Sequence, residues 1–575
     1  MIPRSEQEKV TEISALLGYL KQVRFPYESL IDECIEYGFH SRRKISASTP
    51  GGEKTGQTIY DSTAAQALET LGHGLHGNML GPGWFKSALP MKVDFPRISM
   101  LRQYSGKRLD EIPEIAKWLS DEQDVMVAAY QASNFYSLTP GIFKNGGAIG
   151  TVIIDSEDIL EEDKVHFTVP HFRECYVGRD QYGRVDTRIR EYEITLKAAQ
   201  AKFTENRMKE IIPDFQAKYK KNPYEKIKVI HAVMPRQDYN PLSLRADQMP
   251  IASYWIYTTK IILESGYRRF PSIVWDWMRN DDEDYGRSAL ANAINDIKTA
   301  QAQGKSNLLA GARLADPPYY MMESLRGRNY LGPGGRTYGR MNENKPEPLN
   351  DGLHGLPISM EFQERQGKII NKWLFTDIFM MMNQAMMENH NLRQAQIYEM
   401  IGERAMILSP LTEGIERGLI DPITDIIFDH EYKAGPDGLP TGRIPMPPDI
   451  LLEIASSIKV KIEVDYQGQL SLARKMFYKS QGIRSMLGNI AAMAELAPVV
   501  LKVPKWINIA KRALKDTVAP EDINSDEEIA AAIELEAQAQ QEAQLQQAAA
   551  GMADAIPKLG KKVEDGSVLG AIAGV

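Results

Sequence analysis

An α+β fold is expected from this chain, because its hydrophobic period changes twice along its length. Helical spacing comes first, β-branched and aromatic residues alternate or cluster across 140–280, and helical spacing then returns and persists. Turn residues and a cap signal mark the places where the period switches.

The elements follow in order. Glu6 to Phe39 reads as one or two amphipathic helices, and "HSRRKISASTPGGEKTGQT" as a polar loop. Asp61 to Leu80 predicts a helix, with Ala64, Leu68, Leu71, Leu75 and Met79 at steps of three and four; "GPGW" at 81–84 ends it. Residues 114–138 are helical again, with Trp118, Val125 and Ala129 near one face. Strands are expected in "GGAIGTVIIDS" (146–156), "KVHFTVP" (164–170), "ECYVGRDQYGRVDTRIREYEIT" (174–195), "EKIKVIHAVMP" (225–235) and the run 251–279. "RDQYGR" fits a turn between two strands. The result is a mixed, mostly antiparallel β-region.

Ser288 has the chemistry of an N-cap, with acids just upstream. It opens a helix to Leu314 of about 27 residues, roughly 40 Å long. Small residues dominate this helix, and "DPPYY" stops it. Residues 315–357 are rich in Gly and Pro, lack periodicity, and are locally basic through Arg326, Arg328, Arg336, Arg340 and Lys345. A second long helix is expected over 359–387, with Phe362, Ile369, Trp373 and Met380 along one side. "ENHNLRQ" (388–394) interrupts it. A third helical stretch covers 395–435 and carries Pro410 as a potential kink. A proline-rich linker comes next, then an alternating strand pattern at 459–468 and further helices from Leu470 to Val518. Glu521 to Ala550 contains no Lys or Arg and reads as an Ala/Gln/Glu helix; the last 25 residues are expected to fray.

Composition bounds the function. The 575 residues can bury a sizeable core, and 43% hydrophobic with 25% charged content is average for a globular protein. The net charge of −8 argues against broad non-specific gripping of nucleic acid, which needs cationic neutralisation of phosphates. It does not oppose a surface that DNA slides past. The two cysteines, Cys34 and Cys175, form no C-x-x-C pair and fit a reducing compartment. The start, "MIPRSEQEKVTEISALL", is charged and helical rather than a signal peptide. No run of about 18 apolar residues occurs, so no bilayer insertion is expected.

Catalytic and cofactor motifs are largely missing. "GGEKTGQT" (51–58) has a P-loop frame, but Gln57 stands where the phosphate-binding Lys belongs, and no apolar strand precedes it. A surface loop is the better reading. His73 and His76 share a helix face, yet zinc needs three or four ligands; close helix packing through Gly72, Gly74 and Gly77 explains "LGHGLHG" more simply. "NDDEDYG" (280–286) lacks the spacing of a Ca²⁺ loop and reads as a solvated turn before a helix. "DIFMMMNQAMM" reads as adaptable packing. No cofactor, metal site or catalytic set is expected.

Two long helices therefore flank a Gly/Pro-rich insert. The first is too rich in small residues to build a large core alone, and the acidic tail helix is equally poor in core residues. Closure of copies into a ring would bury both.

Three stretches stand out: "YDSTAAQALETLGHGLHGNMLGPGWFK" (60–86), "WLSDEQDVMVAAYQASNFY" (118–136) and "ESGYRRFPSIVWDWMRNDDEDYGRSAL" (264–290). "DPP" (316–318) and "LSPLTEGIERGLIDPITDIIF" (408–428) come after them. In this ordered series the sequence resembles the podovirus head-to-tail connecting proteins, or portal proteins, from about Leu17 to about Glu528. The resemblance implies a dodecameric ring at one capsid vertex through which double-stranded DNA is packaged and ejected. The implied partners are the terminase large subunit, tail or adaptor proteins, and capsid and scaffolding proteins. The implied location is the virion, after assembly in the host cytoplasm. By order along the chain, 1–285 and 395–470 would form a mixed α/β wing, 286–314 and 359–387 a long-helix stem, and 315–358 a small clip. Residues 388–394 would form a tunnel loop and 471–575 a helical crown. Asn389, His390, Asn391 and Arg393 would approach DNA; Arg326, Arg328, Arg336, Arg340 and Lys345 would meet partners at the clip. Two other readings stay open: a tail or adaptor protein that binds the portal, and a metal-dependent nuclease using the acids at 281–284.

Overall fold

The computed structural model describes residues 5–40, 59–91, 108–159, 162–240, 245–315, 319–320, 347–348, 356–380, 402–435, 438–457 and 461–475. The chain divides into two units, Met1–Arg474 and Lys475–Val575. Among the described residues, the first unit holds all the strands and the long helices. The stretch 41–58 read as a polar loop, the expected tail helix and nearly all of 471–575 lie outside the described residues.

A single helix, α1 (Glu6–Tyr37), opens the fold. Ser5 caps it in a reciprocal box: the Glu8 amide donates to the Ser5 hydroxyl at 3.3 Å, and the Ser5 amide donates to the Glu8 carboxylate at 2.9 Å. Then come α2 (Thr63–Met79), the short strand β1 (Ser87–Ala88), α3 (Pro113–Ala132) and α4 (Phe135–Ile149). The glycine-rich stretch expected to begin a strand instead ends α4. Glycine there answers to packing: a Cβ on Gly146 would lie 2.4 Å from Trp275, and one on Gly147 would lie 2.8 Å from Leu71. The strand begins only at Thr151.

The β-region forms two antiparallel sheets. The strands β2 (Thr151–Ile159), β3 (Lys164–Thr168) and β9 (Ser272–Asp276) make a three-stranded sheet in the order β3-β2-β9. A five-stranded meander runs through β4 (Cys175–Arg179), β5 (Val185–Thr195), β6 (Lys226–Pro235), β7 (Ile251–Tyr257) and β8 (Lys260–Tyr267). The β4–β5 turn is the expected "RDQYGR", held by Asp180 accepting from the amides of Tyr182 and Arg184 at 2.9 and 2.8 Å. Three short helices, α5 (Leu196–Lys202), α6 (Glu205–Ile211) and α7 (Phe215–Lys221), sit between β5 and β6.

The alternation of β5 decides what each face of the meander meets. Ile189, paired through Ala232 to Tyr254, faces α1 and packs with Val10, Ile13, Leu17 and Leu20. On the other face Leu196, Phe203, Met208 and Phe215 of α5–α7 cover Val229 and Trp255. The largest core joins α2, α3 and α4 to the three-stranded sheet and to the start of the next long helix.

That helix, α8 (Ala289–Ala315), has the expected cap: the Ala291 amide donates to the Ser288 hydroxyl at 2.9 Å. Its partner is α9 (Leu356–Trp373). The spacing predicts an unbroken second helix to 387, but α9 stops at Trp373 and Phe375 takes φ +57°, after which 376–380 are helical again. At the ends of the intervening insert, β10 (Tyr319–Tyr320) pairs antiparallel with β11 (Glu347–Pro348). The helical stretch after 402 is broken at Leu408, so Pro410 falls in the first turn of Ser409–Ile415, where a missing N–H costs nothing. A π-turn, Glu416–Ile420, leads into the helix Asp421–Tyr432. The alternating pattern at 459–468 yields only a two-residue strand, β12 (Glu463–Val464), paired with β1.

Candidate functional site: the joint and the paired long helices

The segment from Asp276 to Ser288 carries the chain from the last strand of the three-stranded sheet into α8. It turns through a network of nearly buried polar groups. Asp276 accepts from the Thr151 hydroxyl at 2.7 Å and from Arg179 at 2.6 Å. The Thr151 oxygen in turn accepts from the Gly286 amide at 2.8 Å. Arg179 also donates to the carbonyls of Asp284 and Gly183, at 2.8 and 3.0 Å. One carboxylate and one guanidinium thus tie together β2, β4, β9 and the loop that enters α8.

Tyr285 anchors the same loop from below. It is fully buried, its ring lies 5.4 Å from Tyr27 and 5.5 Å from Phe172, and its hydroxyl accepts from the Val177 amide at 3.3 Å. Burial pushes its phenol up to about 12, so it stays neutral. The neighbouring acids do not converge. Asp281 and Asp282 are exposed, while Glu283 accepts from Arg287 at 3.0 Å and from Asn280 at 3.2 Å. Its hydrogen bond from Arg287 holds the Glu283 carboxyl below its usual value. Among the described residues no group of three or more His, Cys, Asp and Glu is arranged to hold a metal ion. The "NDDEDYG" segment is a turn whose acids are spread over helix entry and solvent.

Further along, Asp61 clamps α8 and α9 together. The Gln301 side chain on α8 accepts from the amides of Tyr60 and Asp61 at 2.7 and 3.0 Å, and donates to the Asp61 carbonyl at 2.5 Å. Gln363 on α9 donates to the Asp61 carboxylate at 3.0 Å and accepts from Asn307 of α8 at 2.7 Å. Gly304 lets the Tyr60 carbonyl approach, since a Cβ there would lie 3.1 Å from it. Beyond this clamp both helices turn bare. Leu308, Leu309 and Leu314 on α8 are 61, 55 and 51% exposed; Ile358, Met360 and Phe362 on α9 are 57, 59 and 48% exposed.

The sequence pointed to the entry loop but missed the clamp and the Thr151–Asp276–Arg179 network. Gln301 and Gln363, polar residues at helix positions turned toward neighbours, were the available signal. His73 and His76 do not act together: His76 bonds Thr139 at 2.8 Å, and His73 lies 3.4 Å from Glu69. The glycines beside them pack closely at Gly72 and Gly74, against α4 and Phe379, but at Gly77 a Cβ would meet open space. Asn389, His390, Asn391, Arg393, Arg326, Arg328, Arg336, Arg340 and Lys345, and the "GGEKTGQT" loop, lie outside the described residues.

Comparison with known proteins bears on most of the chain. A family model described as "Bacteriophage head to tail connecting protein" matches residues 10–524. The chain is 24% identical over 471 residues to the "Probable portal protein" of Bordetella phage BPP-1, covering 78% of this chain and 77% of that one. It is 23% identical over 509 residues to the "Portal protein" of Salmonella phage epsilon15, covering 84% and 83%.

Proposed function

The chain belongs to the family of bacteriophage head to tail connecting proteins, and from that premise we propose how its parts serve a phage portal. The function is that of a portal, the connector between phage head and tail, and the role is structural rather than enzymatic. Its place is the portal vertex of the virion.

In the finer reading, copies close into a dodecameric ring around a channel that passes double-stranded DNA. The observation that supports this most is the bare end of the α8–α9 pair, where six large apolar side chains are about half exposed or more. Large apolar side chains exposed together at one end of a helix pair point to an interaction site. A ring of identical neighbours covers such a surface on every copy at once. The helices 286–314 and 359–387 act as the stem, 1–285 and 395–470 as the wing, 315–358 as the clip and 471–575 as the crown. The net charge of −8 suits a lumen that DNA must slide through, because each Lys or Arg bound to phosphate adds to affinity and acts as a brake. The tunnel-loop residues Asn389, His390, Asn391 and Arg393 approach that DNA. Arg326, Arg328, Arg336, Arg340 and Lys345 of the clip meet the terminase large subunit and then tail or adaptor proteins. Capsid and scaffolding proteins surround the ring, which assembles in the host cytoplasm.

Negative-stain images of the purified protein test the ring. Closed circles with a central hole are expected; a compact, stably folded monomer under capsid-assembly conditions would overturn the reading. Charge reversal at the clip arginines should leave the circles intact and abolish terminase docking.

A further inference from the structure

A cleft of about 270 Å³ opens between the two sheets, away from the joint and the stem. It exists because half of one face of the five-stranded meander is polar. Arg190 pairs through His231 to Trp255, and Arg188 pairs through Val233 to Ser253, so these side chains share the face that α5–α7 only partly cover. Asp155 and Glu157 of the central strand β2, with Ser272 at the start of β9, form the opposite wall.

Both carboxylates of the wall already hold cationic partners. Arg188 is 2% exposed, forms an ion pair with Asp155, and donates to His231 Nδ1 at 2.8 Å. Asp155 also accepts from Ser272 at 2.7 Å. The donation to Nδ1 places the His231 proton on Nε2, which bonds Ser253 at 3.0 Å, and the imidazole stacks on Trp255 at 3.8 Å. Burial and the Arg188 charge hold His231 well below its usual value, so it stays neutral. Glu157 accepts from Lys202 at 2.9 Å, and that ammonium sits 4.3 Å from the Trp255 ring centre. Arg190 gives Nε and one terminal nitrogen to Glu174, a residue outside the lining, at 3.2 and 3.1 Å. Donors remain: Arg188 Nε has no acceptor, and Tyr192 and Tyr267 also line the space. Within the lining itself three cationic side chains, Arg188, Arg190 and Lys202, face two carboxylates, Asp155 and Glu157.

We propose that this cleft is a binding site for a small oxyanion of the phosphate class, held by Lys202, Arg190 and Arg188 beside Trp255. A ligand that brings acceptors and negative charge suits this wall, because Arg188 Nε is buried without an acceptor and the lining carries one more cation than carboxylate. The volume falls just below the usual range for organic ligand pockets, roughly 300–1,000 Å³, so it takes one phosphate-sized group with at most a small substituent. The site does not depend on the ring or on the channel.

Calorimetric titration of the full-length protein with inorganic phosphate, at an ionic strength fixed with chloride, tests this. One saturable site per chain is expected, absent when chloride alone is added. The Lys202→Met variant, at a partly exposed side chain, keeps its fold and should bind at least about ten-fold more weakly, the loss of roughly one charge-assisted hydrogen bond. Arg188→Gln should weaken binding further. No saturable heat above the chloride control would overturn the assignment, as would unchanged affinity in Lys202→Met.

Discussion

Gly150 and Gly286 meet backbone to backbone where the sheet passes into the long helix: a Cβ on Gly150 would lie 2.2 Å from the Gly286 carbonyl oxygen, and Gly150 sits at φ +96°. The contact brings the end of α4 and the entry to α8 within one atom's width. No side chain fits between them, and no L-residue adopts that φ without strain. Gly150→Ala should therefore cost about 3 kcal/mol or more in stability, combining strain with displacement of the entry loop. Thermal unfolding of the variant should show a clearly lowered midpoint; an unchanged midpoint would mean that the joint is soft.

Arg179→Met tests the polar half of the same joint. Arg179 and Asp276 are 9 and 12% exposed at their side chains, so removing the cation leaves a nearly buried carboxylate with only Thr151 close by and Arg279 at 3.8 Å. Breaking a buried pair from one side costs about 3–5 kcal/mol. The double variant Arg179→Met with Asp276→Asn should recover part of that loss, since the stranded charge is gone. Strictly additive losses in a denaturation series would show that the two side chains do not act as a pair.

Much of this joint's surroundings was legible in the sequence. Period-two alternation gave β5 to β8, and Ser288 marked the start of α8 because a hydroxyl before a helix has one obvious use. The glycines at 146–150 misled, because glycine is equally at home where a helix is tightly packed and where a strand begins. Trp275, whose ring demands that space, lies more than a hundred residues away. The Asp61 clamp was missed for the same reason: its two glutamines hinted at a polar contact, but Asp61, Gln301 and Gln363 come together only in the folded chain. The break at Phe375 runs against local propensity, so helical spacing continued across it.

Stability should also fall with rising pH through Glu122. This side chain on α3 is 1% exposed, and burial pushes its carboxyl up from 4.5 to about 7, with only the neighbouring Ser87 hydroxyl pulling the other way. The folded state binds this proton more tightly than the unfolded chain does. The fold is therefore favoured below the unfolded value and loses that advantage as pH rises from about 4.5 through 7, a change of about 3 kcal/mol in all. Glu122→Gln, uncharged throughout, should be more stable than the parent at pH 8 and close to it at pH 4.5. Parallel pH profiles for the two proteins would mean that Glu122 titrates alike in the folded and unfolded chain.

Assembly and folding separate at the far end of the stem. Leu309 is 55% exposed, beyond the Asp61 clamp and outside the buried cores, so Leu309→Asp removes little that the single chain uses. Its effect on the fold should stay within about 0.5 kcal/mol, as for other surface substitutions. A ring places that same position against a neighbour, where an unpaired carboxylate must lose its water at every interface. Mass photometry should then show the parent as closed oligomers and the variant as monomers or open fragments with an unchanged circular dichroism spectrum. Intact rings in the variant would mean that the bare end of α8 and α9 faces something other than another copy, and the stem would need a different partner.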